Sequence, residues 1–345
     1  MKIILNPEIS AFFSRCWNNL YCDEQNAFLD RRVTKKNEKA LQDQLKDAGQ
    51  QDMGGLKAAR PSLFIDADAW EKSPYHQAVH LDHITSHSIT YEEETILGGR
   101  LFNLDAIQPD SNRELGDWMK LRALSHDVKA VYLLQNGEDW MLDAPGEAMT
   151  NDPAAQAAHG KVLTFGLGIG YFLFMAARNP KVTSITVIER DPDVISLFQT
   201  DIFPQIASMV TVPLRIVQGD AFAYWNKQHL SSFDFVYTDI WRSSDDGLEI
   251  MTRLLEQYNP DMETMFWIED SIIEPVRTAI FLHLVELAEH RTIAPSPAYA
   301  RYTKKVRSYF RTRQETIDTV DALKDLLYDR SVMRAVLAQH CVAVK

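Results

Sequence analysis

Five apolar runs alternate with helical stretches between residues 160 and 270, and this alternation limits the fold more than any other feature. The runs are "KVLTFG", "SITVIE", "PLRIVQ", "FDFVYTD" and "ETMFWIE". They are rich in β-branched and aromatic residues and are nearly continuous, as strands buried on both faces are. Tyr171 to Arg178, Asp193 to Phe203 and Gly247 to Tyr258 carry helical patterns between them. Such an order predicts an α/β fold: a doubly wound, mostly parallel, Rossmann-like sheet with helices on both faces.

The rest of the chain divides around that sheet. Residues 1–85 read as an N-terminal helical region, with helix from Pro7 to about Ala48, an end near Gly49 and a loop from Gln50 to Gly55. Residues 86–158 read as a small antiparallel β unit. Gly98-Gly99, between "SITYEEETI" and "RLFNLDAI", predicts one hairpin. Asn136-Gly137, inside "AVYLLQNGEDWMLD", predicts another. The nucleotide-binding domain is expected over 159–312, with C-terminal helices over 313–345.

The chemistry concentrates where the first strand ends. Gly166, Gly168 and Gly170 follow Phe165, and a helix begins at Tyr171. Glycines let the backbone turn tightly and approach a ligand closely, and a helix start leaves N–H donors free. A dinucleotide site wants GxGxxG; here the sixth position is Tyr171. GxGxG fits an adenosine ligand with a carboxylate-bearing tail better than a pyrophosphate. Glu189, 19 residues beyond Gly170, ends the second strand, where an acid accepts from both ribose hydroxyls. Asp191, followed by Pro192, is expected to cap the next helix. Asp220 and Ala221 follow the third strand: the carboxylate can accept from an adenine amine and the Ala221 N–H can donate to a ring nitrogen. A turn with a helix cap is the plainer reading of that pair. Asp239 ends the fourth strand and points into the same crevice. All of these positions lie at carboxyl ends of strands, and their agreement is stronger than any one of them.

In these motifs residues 160 to about 270 resemble a class I S-adenosylmethionine-dependent methyltransferase domain. The chain is most similar to the spermidine synthase-like branch: "ITVIERDPDVISLFQTDIFP" resembles that branch's second strand and following helix, and "RIVQGDAFAYW" its adenine-binding turn. The small β unit before the nucleotide domain also fits. The resemblance implies S-adenosylmethionine as cofactor. Gly166, Gly168 and Gly170 would line its methionine and ribose part, Glu189 would hold the ribose, and Asp220 and Ala221 the adenine. Asp239 would border the reacting centre as base or acceptor-orienting group, with Trp241 and Tyr171 as pocket walls.

The branch contains both methyl and aminopropyl transfer. Aminopropyltransferases typically carry an Asp between the last two loop glycines, where this chain has Ile169. Their Asp-Ser-Ser-Asp-Pro-like stretch reads Asp239-Ile-Trp241-Arg242 here, with Arg242 in place of the second Asp. The Tyr and His of the polyamine tunnel are also missing from "DAPGEAMTND". The departures favour in-line methyl transfer to a small-molecule acceptor. Aminopropyl transfer from decarboxylated S-adenosylmethionine is the alternative, followed by a non-catalytic nucleotide-binding protein. A nicotinamide oxidoreductase is disfavoured by Tyr171 and the Gly219-Asp220 turn.

Charge and cysteine content bound the partners. Lys plus Arg is 36 and Asp plus Glu is 48, a net charge of −12. An acidic chain is repelled by phosphate backbones, so nucleic acid is not an expected partner. The segment 298–313, with six basic residues and no acidic ones, runs against that average. The three cysteines, Cys16, Cys22 and Cys341, form no metal spacing and fit a reducing compartment. No apolar run approaches the ~20 residues of a membrane span, and the expected location is cytoplasmic. A homodimer stays open. His76, His80, His83 and His87 could share a helix face and bind zinc, although the following strand argues against a continuous helix there, so no metal is expected. Glu269 and Asp270 form a second acidic pair, read as a solvated loop.

Overall fold

The computed structural model describes residues 1–20, 24–82, 84, 88–104, 107, 109–117, 120–295 and 300–340. Its centre is a five-stranded sheet of β1 (Gly160–Phe165), β2 (Val182–Glu189), β3 (Leu214–Gln218), β4 (Phe235–Thr238) and β5 (Thr264–Phe266). The spatial order is β3-β2-β1-β4-β5, and every pairing is parallel. The order reverses between β1 and β4. Val162 to Phe165 in β1 and all four residues of β4 are buried, as strands covered on both faces must be. The helices Tyr171–Ala177, Pro192–Leu197, Ser244–Gln257 and Glu269–Glu289 supply that cover. This is the doubly wound α/β fold expected from the alternating runs.

Helix starts follow the local chemistry. Asp191 caps the helix at Pro192 by accepting from the Asp193 N–H at 2.8 Å. Ser243 and Asp246 form a capping box, so that helix begins at Ser244. The pair Glu269 and Asp270 corrects one expectation. It opens the long helix Glu269–Glu289 rather than lying in a solvated loop.

The region before the sheet differs more from its sequence reading. The Asn136-Gly137 hairpin forms between strands Val128–Gln135 and Glu138–Asp143, with φ of 55° and 80° at its two turn residues. The hairpin expected at Gly98-Gly99 does not form. Ile89–Ile96 pairs instead with Val128–Gln135, and Phe102–Leu104 pairs with Lys120–Leu124 in another sheet. The glycines serve a crossing: a Cβ on Gly98 would sit 2.4 Å from the His126 carbonyl carbon. The helix expected from Pro7 to Ala48 is broken into Pro7–Leu20, a short 3-10 turn Glu24–Phe28 and Glu38–Asp47.

Packing crosses the segments drawn from sequence. Phe28, Val33, Leu41, Leu45, Met53 and Leu63 share one cluster with Leu101, Leu121 and Ala123. At the other end, Lys2–Ile3 pairs in parallel with Thr316–Ile317. Phe13 and Trp17 pack on Phe281 of the long helix. Among the described residues no helix is long and apolar enough to cross a membrane.

Candidate functional site

The sheet ladder runs one residue past the strand ends and sets the site residues abreast. The Asp239 N–H donates to the Phe165 carbonyl at 2.9 Å, the Gly166 N–H to Ile188 at 3.0 Å, and the Gly219 N–H to Glu189 at 2.8 Å. The glycine loop, Glu189, Asp220 and Asp239 therefore gather at the carboxyl edge beside the β1/β4 reversal, where open α/β sheets bind ligands.

Gly166, Gly168 and Gly170 all have left-handed φ, at 95°, 51° and 77°. At Gly166 the need for glycine is double, because a Cβ there would lie 2.0 Å from the Asp239 carbonyl oxygen. The loop therefore runs directly against the backbone at the end of β4.

Glu189 ties the loop down. One carboxylate oxygen accepts from the Leu167 N–H at 3.0 Å and the other from the Asp191 N–H at 2.8 Å. Each carboxylate oxygen has two acceptor positions, so one on each remains for a ligand. Asp220 is exposed and caps the short helix Ala221–Tyr224, accepting from the Phe222 N–H at 2.9 Å. Its plainer reading, a helix cap, is realised, and its second oxygen is outside that bond. Ala221 is buried.

Asp239 has a different setting. It is half-buried, and among the described residues its carboxylate has no hydrogen-bond partner. Burial pushes its carboxyl up to about 7, because a low-dielectric surrounding disfavours the charged form. Two buried polar atoms nearby in sequence, Thr238 Oγ1 and Trp241 Nε1, also lack a partner among the described residues.

The expected pocket walls spend their rings in packing. Trp241 is buried and stacks on Phe266, with ring centres 6.1 Å apart. Tyr171 packs edge-on against Tyr75, and its hydroxyl donates to Asp152 at 2.8 Å. Sequence reasoning missed the helix Pro145–Ala157, although Pro145 is a start signal. It packs against β4 and the residue that follows β5: the Tyr237 hydroxyl donates to Asn151, and the Trp267 indole N–H to Thr150, both at 2.8 Å.

Other sequence candidates are largely engaged elsewhere. His76 lies 2.9 Å from Asp143 through Nε2 and 2.6 Å from Ser73 through Nδ1, so neither nitrogen is left for a metal. His80 is exposed, and His83 and His87 lie outside the described residues. Of the basic segment, residues 298 and 299 also lie outside them. Arg301 and Lys305 pair with Glu256, Arg307 with Glu286 and Arg313 with Glu315. Most of that segment's charge is therefore spent within the protein.

No protein-family model matches the chain, and no curated protein matches its sequence. Solved structures that match in shape include spermidine synthase from Thermotoga maritima, at 13% identity over 43% of this chain and 56% of that one, with a TM-score of 0.31. M. jannaschii TYW2 in complex with AdoMet matches at 15% identity over 39% and 55%, with a TM-score of 0.28. Shikimate dehydrogenase from Mycobacterium tuberculosis matches at 17% identity over 45% and 60%, with a TM-score of 0.23. The chain spans little more than half the length of these structures. At such scores none of them decides an activity.

Proposed function

We propose that the crevice binds S-adenosylmethionine and that the protein transfers its methyl group to a small-molecule acceptor. The observation that carries the reading is Asp239, a carboxylate with no hydrogen-bond partner among the described residues, held abreast of the Gly166-Gly168-Gly170 loop at the sheet's switch point. The residues present fit the cofactor. The glycine loop allows close backbone approach, Glu189 keeps an acceptor position on each oxygen for a ribose diol, and the second Asp220 oxygen can take an adenine amine.

The cofactor supplies an electrophilic methyl on a sulfonium. The protein's part is positioning and proton management. Loop and Glu189 fix the nucleoside, so that attack becomes effectively intramolecular. Asp239, raised to about 7 by burial, is poised to take a proton from the acceptor at its carboxylate near neutral pH. Ile169 and Arg242, in place of the acids that aminopropyltransferases carry, favour methyl transfer over aminopropyl transfer.

The test supplies the purified chain with either sulfonium compound and a panel of amines, acids and phenols. S-adenosylhomocysteine formed with at least one acceptor supports methyl transfer. Methylthioadenosine formed from the decarboxylated compound alone reverses the choice. Neither product from any acceptor removes the transferase reading.

A further inference from the structure

The glycine loop is held from outside the sheet as well as from within it. Tyr75, on the short helix Pro74–Ala78, is fully buried, and its hydroxyl donates to the Ile169 carbonyl at 2.7 Å. The contact joins residues 94 positions apart. The Tyr75 ring packs edge-on against Tyr171 and Phe174 at the start of the next helix, at 5.0 and 5.9 Å. From the hairpin, Met141 lies against Gly168, where a Cβ would come within 2.8 Å of its Cε. The His76–Asp143 bond ties the Tyr75 segment to the strand that carries Met141.

A loop of this composition needs such anchors. Glycine loses more conformational freedom on ordering than any other residue, and Gly166, Gly168 and Gly170 offer no side chains to pack. The peptide between Ile169 and Gly170 is fixed at both ends: its N–H donates to the Leu167 carbonyl at 2.9 Å and its carbonyl accepts from Tyr75. Because that peptide is planar, pinning its oxygen also sets the direction of its N–H. Glu189 fixes the preceding Leu167 N–H. Glu189 and Tyr75 therefore hold two different peptides of the loop, and only Glu189 belongs to the sheet.

We propose that Tyr75 is a positioning residue of the ligand site, its hydroxyl holding the glycine loop in the conformation that receives the nucleotide. The effect on ligand affinity rests on the cofactor reading above; the effect on the loop does not. Tyr75→Phe removes one oxygen and keeps the ring. Amide hydrogen exchange on the full chain should then quicken about tenfold at residues 166–171, the cost of leaving one buried carbonyl unpaired. Exchange in β3 and in the helix Glu269–Glu289 should not change. S-adenosylmethionine should bind about tenfold more weakly. Loop exchange at the wild-type rate overturns the proposal. So does an equal acceleration across the whole chain, which marks a packing role only. If the wild-type chain binds neither sulfonium compound, the cofactor reading falls, and loop exchange alone decides the role of Tyr75.

Discussion

Acids follow the carboxyl ends of both β4 and β5, yet their settings are opposite. Asp239, after β4, has no hydrogen-bond partner among the described residues, and burial raises its carboxyl to about 7. Glu269, just beyond β5, is more deeply buried but is gripped by the Arg334 guanidinium through two bonds of 2.7 and 2.6 Å. Its neighbour Asp270 pairs with Arg330 and Arg277. A buried acid held in an arginine fork is a structural tie. A half-buried acid with no partner among the described residues destabilises the fold when it is charged, and groups so perturbed cluster at functional sites. In sequence the two are alike; what separates them is an arginine 65 residues away.

Breaking the paired side should have the largest effect on stability. Arg334→Ala leaves Glu269 buried and uncompensated, and should cost about 3–5 kcal/mol in urea unfolding. A loss near that of a surface pair, below about 1 kcal/mol, would erase the contrast. Gly166→Ala comes next. The left-handed backbone at that position alone should cost about 1–3 kcal/mol, and the clash with the Asp239 carbonyl should abolish nucleotide binding. A variant with wild-type stability and affinity would mean that the loop does not run against the end of β4.

Asp239→Asn should act on stability through its pH dependence alone. In the unfolded chain an Asp titrates near ~3.9. Between about 4 and 7 the folded state therefore keeps a proton that the unfolded state has released. Stability contributed by the protonated carboxyl is complete at the acid end of that window and is lost as pH rises through about 7. The Asn variant should lack this decline, seen as a gap in Tm that widens between pH 4 and 7. Parallel profiles would show that the carboxyl is not perturbed.

Local signals made the sheet legible. Continuous apolar runs gave its strands, and Asn136-Gly137 gave a turn whose residues both adopt left-handed φ. The placement of Gly166, Glu189 and Asp220 at strand ends follows from the same pattern. What was not legible depends on pairs distant in sequence. Gly98-Gly99 carries a hairpin's composition but serves a close crossing with His126. Lys305 reads as part of a basic surface, yet it is fully buried against Glu256 and the Leu337 carbonyl. The Tyr75 bond to Ile169 joins two segments whose patterns give no hint of each other.

The crevice beside Asp239, whose carboxylate has no partner among the described residues, is proposed to receive a sulfonium nucleoside. Calorimetric titration of the full chain with S-adenosylmethionine, beside a parallel titration with NAD, tests it most directly. Saturable one-to-one binding of S-adenosylmethionine with no heat from NAD is the predicted result. NAD binding without S-adenosylmethionine binding, or no binding of either, would contradict it.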